Sequence, residues 1–214
     1  VARLMQKLGI QGVWRGKNKQ TTRNRDDQKR APDLVKRNFS ADRPDQLWVS
    51  DFTYIQTHSG WVYTAFIIDV FSRAIVGWKV STRMNTDMVL DALEQALHDR
   101  GMPKNVIHHS DRGVQYLSIR YTNRLEAANL RASVGTTGDS YDNALAETVN
   151  GLYKTEVIEY LKADWQGLAD VQLATLNWVD WFNKKRVHSA LGYVSPFEFE
   201  AMYYDKINPL GQVA

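Results

Sequence analysis

The chain of 214 residues contains 43% hydrophobic and 24% charged side chains, a composition typical of a folded domain. It has no cysteine, which excludes disulfides, thiolate chemistry and cysteine-ligated zinc, and it has no apolar stretch suited to a membrane span or signal peptide, so no membrane partner is expected. Residues 1–50 hold 12 Lys and Arg against 5 Asp, whereas residues 51–214 hold 15 against 19 acids, so the amino-terminal arm predicts a polyanion partner unless it is only a solvated tail.

The first predicted elements are a helix end and a linker. Apolar residues at helical spacing open the chain: Val1, Leu4, Met5 and Leu8. Gly9 then fits a carboxyl-terminal helix cap, and residues 11–37 lack apolar periodicity, which is typical of a linker. We therefore predict a basic arm over 1–44, a core over 45–204 whose last part is helical, and a tail over 205–214.

Alternating segments within the core predict an α/β fold. The predicted strands, rich in β-branched and aromatic residues, cover 47–57, 61–70, 74–82, 105–111 and 131–138. Helices are predicted around Val89–Leu97 and Leu117–Ala128, then over 143–161 and 166–184. Short gaps favour antiparallel pairing of the first three strands, and crossover helices favour parallel pairing of the last two. The expected architecture is a mixed five-stranded sheet flanked by helices.

Three acidic residues lie where a hydrophobic pattern would not place them. Asp51 falls inside the first predicted strand, Asp111 ends the fourth, and Glu147 lies in a predicted helix. A carboxylate in a strand is costly unless it is paired or binds a metal. Oxygen ligands without cysteine favour Mg²⁺ or Mn²⁺, and two such ions can drive an in-line displacement at phosphorus. The ordinary alternatives are a paired strand acid, a turn former and a solvated helix residue.

The helix around Glu147 has a polar stripe. Its members at helical spacing are Asn143, Glu147, Asn150 and Lys154, and the apolar stripe opposite comprises Leu145, Val149 and Leu152. A helix packed by its leucine face would present Glu147 and, two turns later, Lys154. That order suits a metal ligand followed by a phosphate contact, although Lys154 also fits a solvated surface lysine.

The spacing of the acids and the sequence motifs around them resemble those of a known family. Asp51 and Asp111 are separated by 59 residues, Asp111 and Glu147 by 35, and Lys154 follows seven residues later. This is similar to the Asp, Asp-35-Glu pattern of the retroviral-integrase-like transposases. Five segments resemble, in order, the catalytic OrfB subunit of bacterial insertion-sequence transposases: LWVSDFTYI, YTAFIIDVFSRAIVGW, IHHSDRGVQY, SYDNALAETVNGLYKTE and WFNKKRVHSALGYVSPFEFE. The resemblance spans nearly the whole chain.

The resemblance implies an RNase H-like fold and a DNA-cutting and DNA-joining transposase. Asp51, Asp111 and Glu147 would be both the catalytic residues and the ligands of two Mg²⁺ or Mn²⁺ ions. Implied partners are terminal inverted repeats, target DNA, further copies of the chain on DNA, and an upstream OrfA subunit. The implied location is the bacterial cytoplasm, at the nucleoid. Residues 1–44 would follow a truncated helix-turn-helix module.

Further polar residues are predicted to assist the three acids. The predicted DNA contacts are Lys154, Asn143, Arg112, Gln115, Lys184, Lys185 and Arg186, and the predicted supports of the metal ligands are His109, Ser110 and His188. Ordinary alternatives stay open, since Asn143 fits a helix cap, Gln115 a packed side chain and His109 a buried histidine. The basic run at 184–188 also fits a helix end that complements the helix dipole.

Two other functions fit the same residues. A nuclease of this fold would cut without joining. The carboxylates alone do not separate it from a transposase, because both enzymes would use the same metal chemistry. A non-catalytic DNA-binding module would keep the acids only for folding. The long carboxyl-terminal segment WFNKKRVHSALGYVSPFEFE favours the transposase, and the three intact acids argue against the module.

Overall fold

The computed structural model describes residues 2–9, 31–111, 113–135, 143–161 and 164–208. The elements in chain order are α1 (Ala2–Lys7), β1 (Leu47–Thr57), β2 (Gly60–Asp69), β3 (Ile75–Ser81), α2 (Thr86–Asp99), β4 (Ile107–Ser110), α3 (Ile119–Ala127), β5 (Arg131–Val134), α4 (Ala144–Tyr153), a π-helical turn (Lys154–Glu159), α5 (Leu168–Lys184), a 3₁₀ turn (Ser189–Leu191) and α6 (Pro196–Ile207). None of the helices in these ranges is both long and apolar enough to cross a bilayer.

The predicted α/β architecture is confirmed. The sheet has five strands in the order β3-β2-β1-β4-β5, with β1 in the centre. The first three strands pair antiparallel, whereas β4 pairs parallel with both β1 and β5. A short meander followed by two parallel strands, each reached through a helix, is the topology of the RNase H-like fold that the resemblance implied.

Side chains alternate along β1 between two hydrophobic cores. Val49 and Ile55 face the core formed with α4 and α5. Trp48 is fully buried in the opposite core, formed with α2 and α3. Because successive strand residues point to opposite faces, Asp51 lies in the same row as Val49, on the side of α4.

The chain before the sheet also contacts the core. Val35 is buried on the α4 side, and the Leu34 amide donates a hydrogen bond to Ser133 Oγ at 2.9 Å. The ring of Phe39 lies 5.9 Å from that of His109. The arm boundary at residue 45 stays a prediction, but residues 31–44 pack against the core rather than extending away from it.

Two helical features were not predicted. The π-helical turn continues directly from α4, and such turns are frequent at functional sites. The start of α6 is marked by Ser195, Pro196 and Glu198, which form a capping box with proline in the first turn. These three residues lie within the carboxyl-terminal motif, and their pattern in the sequence could have predicted the start of the helix.

Candidate active site

Strand register brings Asp51 and Asp111 together. The last parallel pair between β1 and β4 joins Ser50 to Ser110, and each aspartate is the next residue along its strand. Neighbouring strands lie about 4.8 Å apart, so the two carboxylates meet at the carboxyl end of the parallel pair. The carboxyl ends of parallel strands are where sites gather in α/β sheets.

The Asp51 carboxylate is fixed on both oxygens. Oδ1 accepts a hydrogen bond from the Phe52 amide at 2.8 Å, and Oδ2 accepts one from Asn150 Nδ2 at 2.9 Å. Burial raises the pKa of Asp51 well above its usual value, and the charges of Asp111 and Glu147 raise this pKa further, against the two hydrogen bonds. Asp51 therefore lies at the centre of a group of like charges.

Asp111 and Glu147 complete this group, which we name the facing acids (Asp51, Asp111 and Glu147). Asp111 Oδ1 accepts a hydrogen bond from the Gly113 amide at 2.8 Å, yet burial raises the pKa of Asp111. Burial and the charge of Asp111 both raise the pKa of Glu147. All three side chains remain partly exposed, so a ligand can reach them from solvent.

The donor set of the facing acids suits a hard divalent cation. Carboxylate oxygens are the ligands that Mg²⁺ prefers, and a cation would relieve the mutual repulsion that raises their pKa values. Within the described ranges, however, no group of three or more Asp, Glu or His side chains is arranged closely enough to hold an ion. The metal-ligand role of the acids therefore stays a prediction.

Helix α4 packs on the sheet through a wider face than the predicted apolar stripe. Its contact with the sheet runs through Ala146, Val149 and Tyr153, whereas Leu145 and Leu152 are only partly buried. Two members of the predicted polar stripe, Asn143 and Asn150, are also buried. The buried face of α4 therefore includes part of the predicted polar stripe, and Glu147 lies next to this face, beside the aspartates.

Two asparagines tie α4 to β1 on either side of Glu147. Asn143 Nδ2 donates a hydrogen bond to the Ser50 carbonyl oxygen at 3.0 Å, and Asn150 donates to Asp51. Asn143 is buried and makes no side-chain cap, so it positions the helix rather than capping it. The sequence analysis placed Asn150 on the stripe but gave it no role. Its spacing of one helical turn from Glu147 was the available signal.

Lys154 lies at the junction of α4 and the π-helical turn. Its Nζ is 4.6 Å from the centroid of the Tyr54 ring. Burial lowers the pKa of Lys154, whereas the charge of Asp51 raises it, which shows that the ammonium lies in the field of the facing acids. This position is compatible with the predicted phosphate contact.

The residues predicted around Asp111 are more buried than expected. Gln115 is packed inside and donates a weak hydrogen bond to the Met84 carbonyl oxygen at 3.4 Å. His109 is buried, with Nδ1 2.8 Å from Ser133 Oγ, and its charge lowers the pKa of Asp111. Ser110 Oγ donates to the Asp111 carbonyl oxygen at 3.1 Å. Arg112 lies outside the described residues.

The predicted basic cluster at 184–188 has partners of its own. Lys184 pairs with Asp180, and Lys185 is exposed at the end of α5. Arg186 binds Glu156 of the π-helical turn through both Nη2 (2.7 Å) and Nε (3.0 Å) to Oε1. The structure therefore joins Arg186 to the segment after α4 instead of to the facing acids.

His188, the last member of that cluster, is also placed away from the acids. Its ring centroid lies 4.8 Å from that of Phe182. Burial and the charge of Arg186 lower the pKa of His188 to about 4, so this histidine is neutral near pH 7. The packed imidazole therefore adds no positive charge to the predicted basic cluster near pH 7.

Sequence comparisons place these residues among known proteins. Residues 41–140 and 128–196 match two families that are both described as integrase core domain. The chain is 56% identical over 207 residues to the transposase for insertion sequence element IS629 of Shigella sonnei, covering 97% of this chain and 69% of that protein. It is 51% identical over 209 residues to the putative transposase for insertion sequence element IS986/IS6110 of Mycobacterium tuberculosis, covering 95% and 75%.

Solved structures show the same fold. The HTLV-2 integrase catalytic core domain in complex with magnesium matches with a TM-score of 0.60 at 18% identity, covering 75% of this chain and 99% of that chain. The simian T-cell lymphotropic virus intasome, in complex with the PP2A regulatory subunit B56 gamma, matches with a TM-score of 0.64 at 16% identity, covering 83% and 60%.

Proposed function

Because the chain belongs to the insertion-sequence transposases of the integrase superfamily, which act in DNA transposition and integration, we propose that the facing acids are its catalytic residues. The observation that carries this proposal is the group of like charges at the end of β1 and β4. Burial raises the pKa values of all three carboxylates, the charges of Asp111 and Glu147 raise that of Asp51 further, and the charge of Asp111 raises that of Glu147, with no arginine among the causes of those shifts.

The facing acids would hold Mg²⁺ or Mn²⁺, with two ions as the expected number. Asp51, Asp111 and Glu147 would each supply carboxylate oxygens as ligands. When bound, the ions would activate the attacking oxygen and neutralise charge on the leaving oxygen. No side chain of the protein needs to act as a nucleophile.

The reaction consists of two phosphodiester exchanges. Water first attacks the phosphodiester at the element end, so that a P–O bond forms to the water oxygen while the P–O bond to the 3′ oxygen breaks, which leaves a 5′-phosphate on one side and frees a 3′-OH on the other. That hydroxyl then attacks a phosphodiester of the target DNA, so one P–O bond forms as another breaks. Each exchange is balanced, and neither requires a nucleotide as an energy source. The protein supplies alignment and charge stabilisation.

The neighbouring residues would keep the acids aligned. Asn150 holds one oxygen of Asp51, and Asn143 anchors the start of α4 on β1, so Glu147 is carried by a helix that is fixed at both ends. Lys154 would contact a DNA phosphate from the same side. Lys185 would add a non-specific phosphate contact, because it is an exposed cation on a DNA-binding chain.

The proposed partners are the terminal inverted repeats of an insertion element and target DNA. The basic arm supports DNA binding through phosphate neutralisation. We further propose assembly of several copies on DNA; the HTLV-2 integrase core is described in dimeric and trimeric forms. An OrfA subunit and a location at the bacterial nucleoid follow from the resemblance alone.

A cleavage assay tests the proposal. The purified chain is incubated with a labelled element-end duplex and Mg²⁺ or Mn²⁺, beside Glu147→Gln. Exposed Glu126 of α3 supplies the matched control Glu126→Gln. We expect metal-dependent nicking and joined products with the wild type and the control, and neither with Glu147→Gln.

Other outcomes separate the alternatives. Nicking without joining would favour a nuclease. Full activity of Glu147→Gln, or products formed equally well in EDTA, would contradict the proposal. If the wild type binds DNA without cutting it, the assay is repeated with the full-length protein, since the chain covers 69% and 75% of the two relatives.

A further inference from the structure

Two exposed aromatic side chains lie on the strands that lead away from Asp51. Tyr54 of β1 is 37% exposed and Trp61 of β2 is 49% exposed, and their ring centroids lie 5.3 Å apart in an edge-to-face arrangement. The ladder pairs Tyr54 with Tyr63 and Gln56 with Trp61, which makes Tyr54 and Trp61 diagonal neighbours on one face. We name this pair the aromatic ledge (Tyr54 and Trp61).

Lys154 links the aromatic ledge to the facing acids. Tyr54 follows Asp51 by three residues, which is about 10 Å along an extended strand and puts the two side chains on opposite faces of the sheet. Lys154 Nζ lies over the Tyr54 ring, and the charge of Asp51 acts on the same ammonium. The ledge therefore lies near the proposed active site but on the other face of β1, with Lys154 at the edge between them, and the proposed chemistry assigns it no role.

Among the described residues, one edge of β1 has no paired strand beyond Ser50. Strand β4 pairs with β1 only over Leu47–Ser50, so the β1 residues that follow have no β4 partner on that side. A ligand that reaches the facing acids can therefore pass this unpaired edge of β1 to the ledge on the other face. Aromatic rings next to a lysine are the usual chemistry for holding single-stranded nucleic acid, because bases stack on the rings while the cation meets a phosphate.

We propose that the aromatic ledge stacks an unpaired base of the DNA end while Lys154 contacts an adjacent phosphate. This inference rests on the proposed function, because it assumes that DNA reaches the facing acids. Internal bases of a duplex already stack on both faces, so only a base that has left its pair can use the ledge. Stacking is tolerant of base identity, and the contact therefore positions the end rather than reads its sequence.

Binding measurements with abasic DNA test the ledge. Affinity for a labelled element-end duplex is measured without divalent metal, for wild type, Trp61→Leu and Trp61→Phe, with a single abasic site moved through the terminal nucleotides. Trp61→Leu keeps an apolar side chain but removes stacking, so we expect about a fivefold to hundredfold loss of affinity. Trp61→Phe should keep most of the affinity. The difference in affinity between wild type and Trp61→Leu should vanish when the abasic site occupies the one position that the ledge contacts.

A matched tryptophan controls for general effects. Trp181 of α5 is 41% exposed, and Trp181→Leu should leave the affinity for the duplex unchanged. Circular dichroism and thermal melting establish that each variant is folded. Wild-type affinity for Trp61→Leu would overturn the inference. The same loss at every abasic position would overturn it too, as would the absence of DNA binding by the wild type. Because no metal is present, failure of cleavage in the earlier assay does not alter this result.

Discussion

Two groups of partly or fully buried acids lie at opposite sides of the same fold. At the facing acids, burial raises all three pKa values, and like charge raises those of Asp51 and Glu147 further. The second group, the arginine network (Asp45, Arg100 and Glu200), places one guanidinium between two carboxylates. The contrast separates acids that are neutralised by an arginine from acids that face one another and are proposed to bind a cation.

The arginine network explains how the last helix is attached. Arg100 Nε donates to Asp45 Oδ1 at 2.9 Å, and Arg100 Nη2 lies 2.6 Å from Glu200 Oε1 on α6. Burial lowers the pKa of Arg100, but the hydrogen bonds to Glu200 and Asp45 outweigh this effect and raise it. The network thus joins α2, the start of β1 and α6 with compensated charge.

A buried acid is therefore informative only together with its partner. Replacing one member of a compensated pair leaves an unpaired buried charge, which is costly. Replacing one of several facing acids removes repulsion instead. A substitution among the facing acids should abolish activity without lowering the free energy of unfolding, whereas a substitution in the arginine network should lower the free energy of unfolding. Four measurements test this contrast.

The largest expected effect is on activity at the facing acids. Asp51→Asn keeps the size of the side chain and removes its charge. Loss of a ligand that supplies several kcal/mol of transition-state stabilisation should reduce metal-dependent cleavage by more than about a thousandfold. The free energy of unfolding in urea should not fall. A variant that is active, or that is inactive because it is unfolded, would contradict this expectation.

The next effect is on stability at the arginine network. Arg100→Met leaves Asp45 and Glu200 without their cation and should lower the free energy of unfolding by about 3–5 kcal/mol. Urea denaturation measures the change. The matched control is Arg120→Met, which breaks only the exposed pair with Asp87 and should cost less than about 1 kcal/mol. Equal losses for the two variants would remove the distinction between the groups.

A smaller effect is expected from the metal itself. A cation that binds only the folded state stabilises it by about 2.7 kcal/mol at a concentration one hundred times its Kd. Mg²⁺ or Mn²⁺ should therefore raise the Tm of the wild type but not that of Asp51→Asn. Sodium chloride at matched ionic strength is the control. An equal rise in both proteins would indicate a general salt effect.

The smallest effect is the pH dependence of stability without metal. The pKa of Asp51 is raised in the folded state from an unfolded value near 3.8, so the folded state binds the proton more tightly. The free energy of unfolding should therefore fall as the pH rises from about 3.8 through the raised pKa, by up to about 1.4 kcal/mol per pH unit. Asp51→Asn should lack this contribution. Parallel stability curves for the two proteins between pH 4 and 7 would contradict it.

Local patterns in the sequence determined the helices and strands, and the resemblance to a known family then pointed to the facing acids. Period-two and period-3.6 apolar spacing depends only on neighbouring residues, so all five strands and the helices from α2 to α5 were predicted, with errors mainly at their ends. The α/β class followed from element order and loop length. The resemblance then selected Asp51, Asp111 and Glu147 from 24 acidic residues.

Only the tertiary structure decided which polar residues serve the site and which serve the fold. Asn150 meets Asp51 and Arg186 meets Glu156 across separations of 99 and 30 residues. Arg186, whose predicted DNA contact stays a prediction, binds Glu156 of the π-helical turn. Such pairings depend on how helices are rotated and docked on the sheet, and no local period encodes that geometry. The sequence therefore identified the acids, and the packing of α4 against β1 assigned their neighbours.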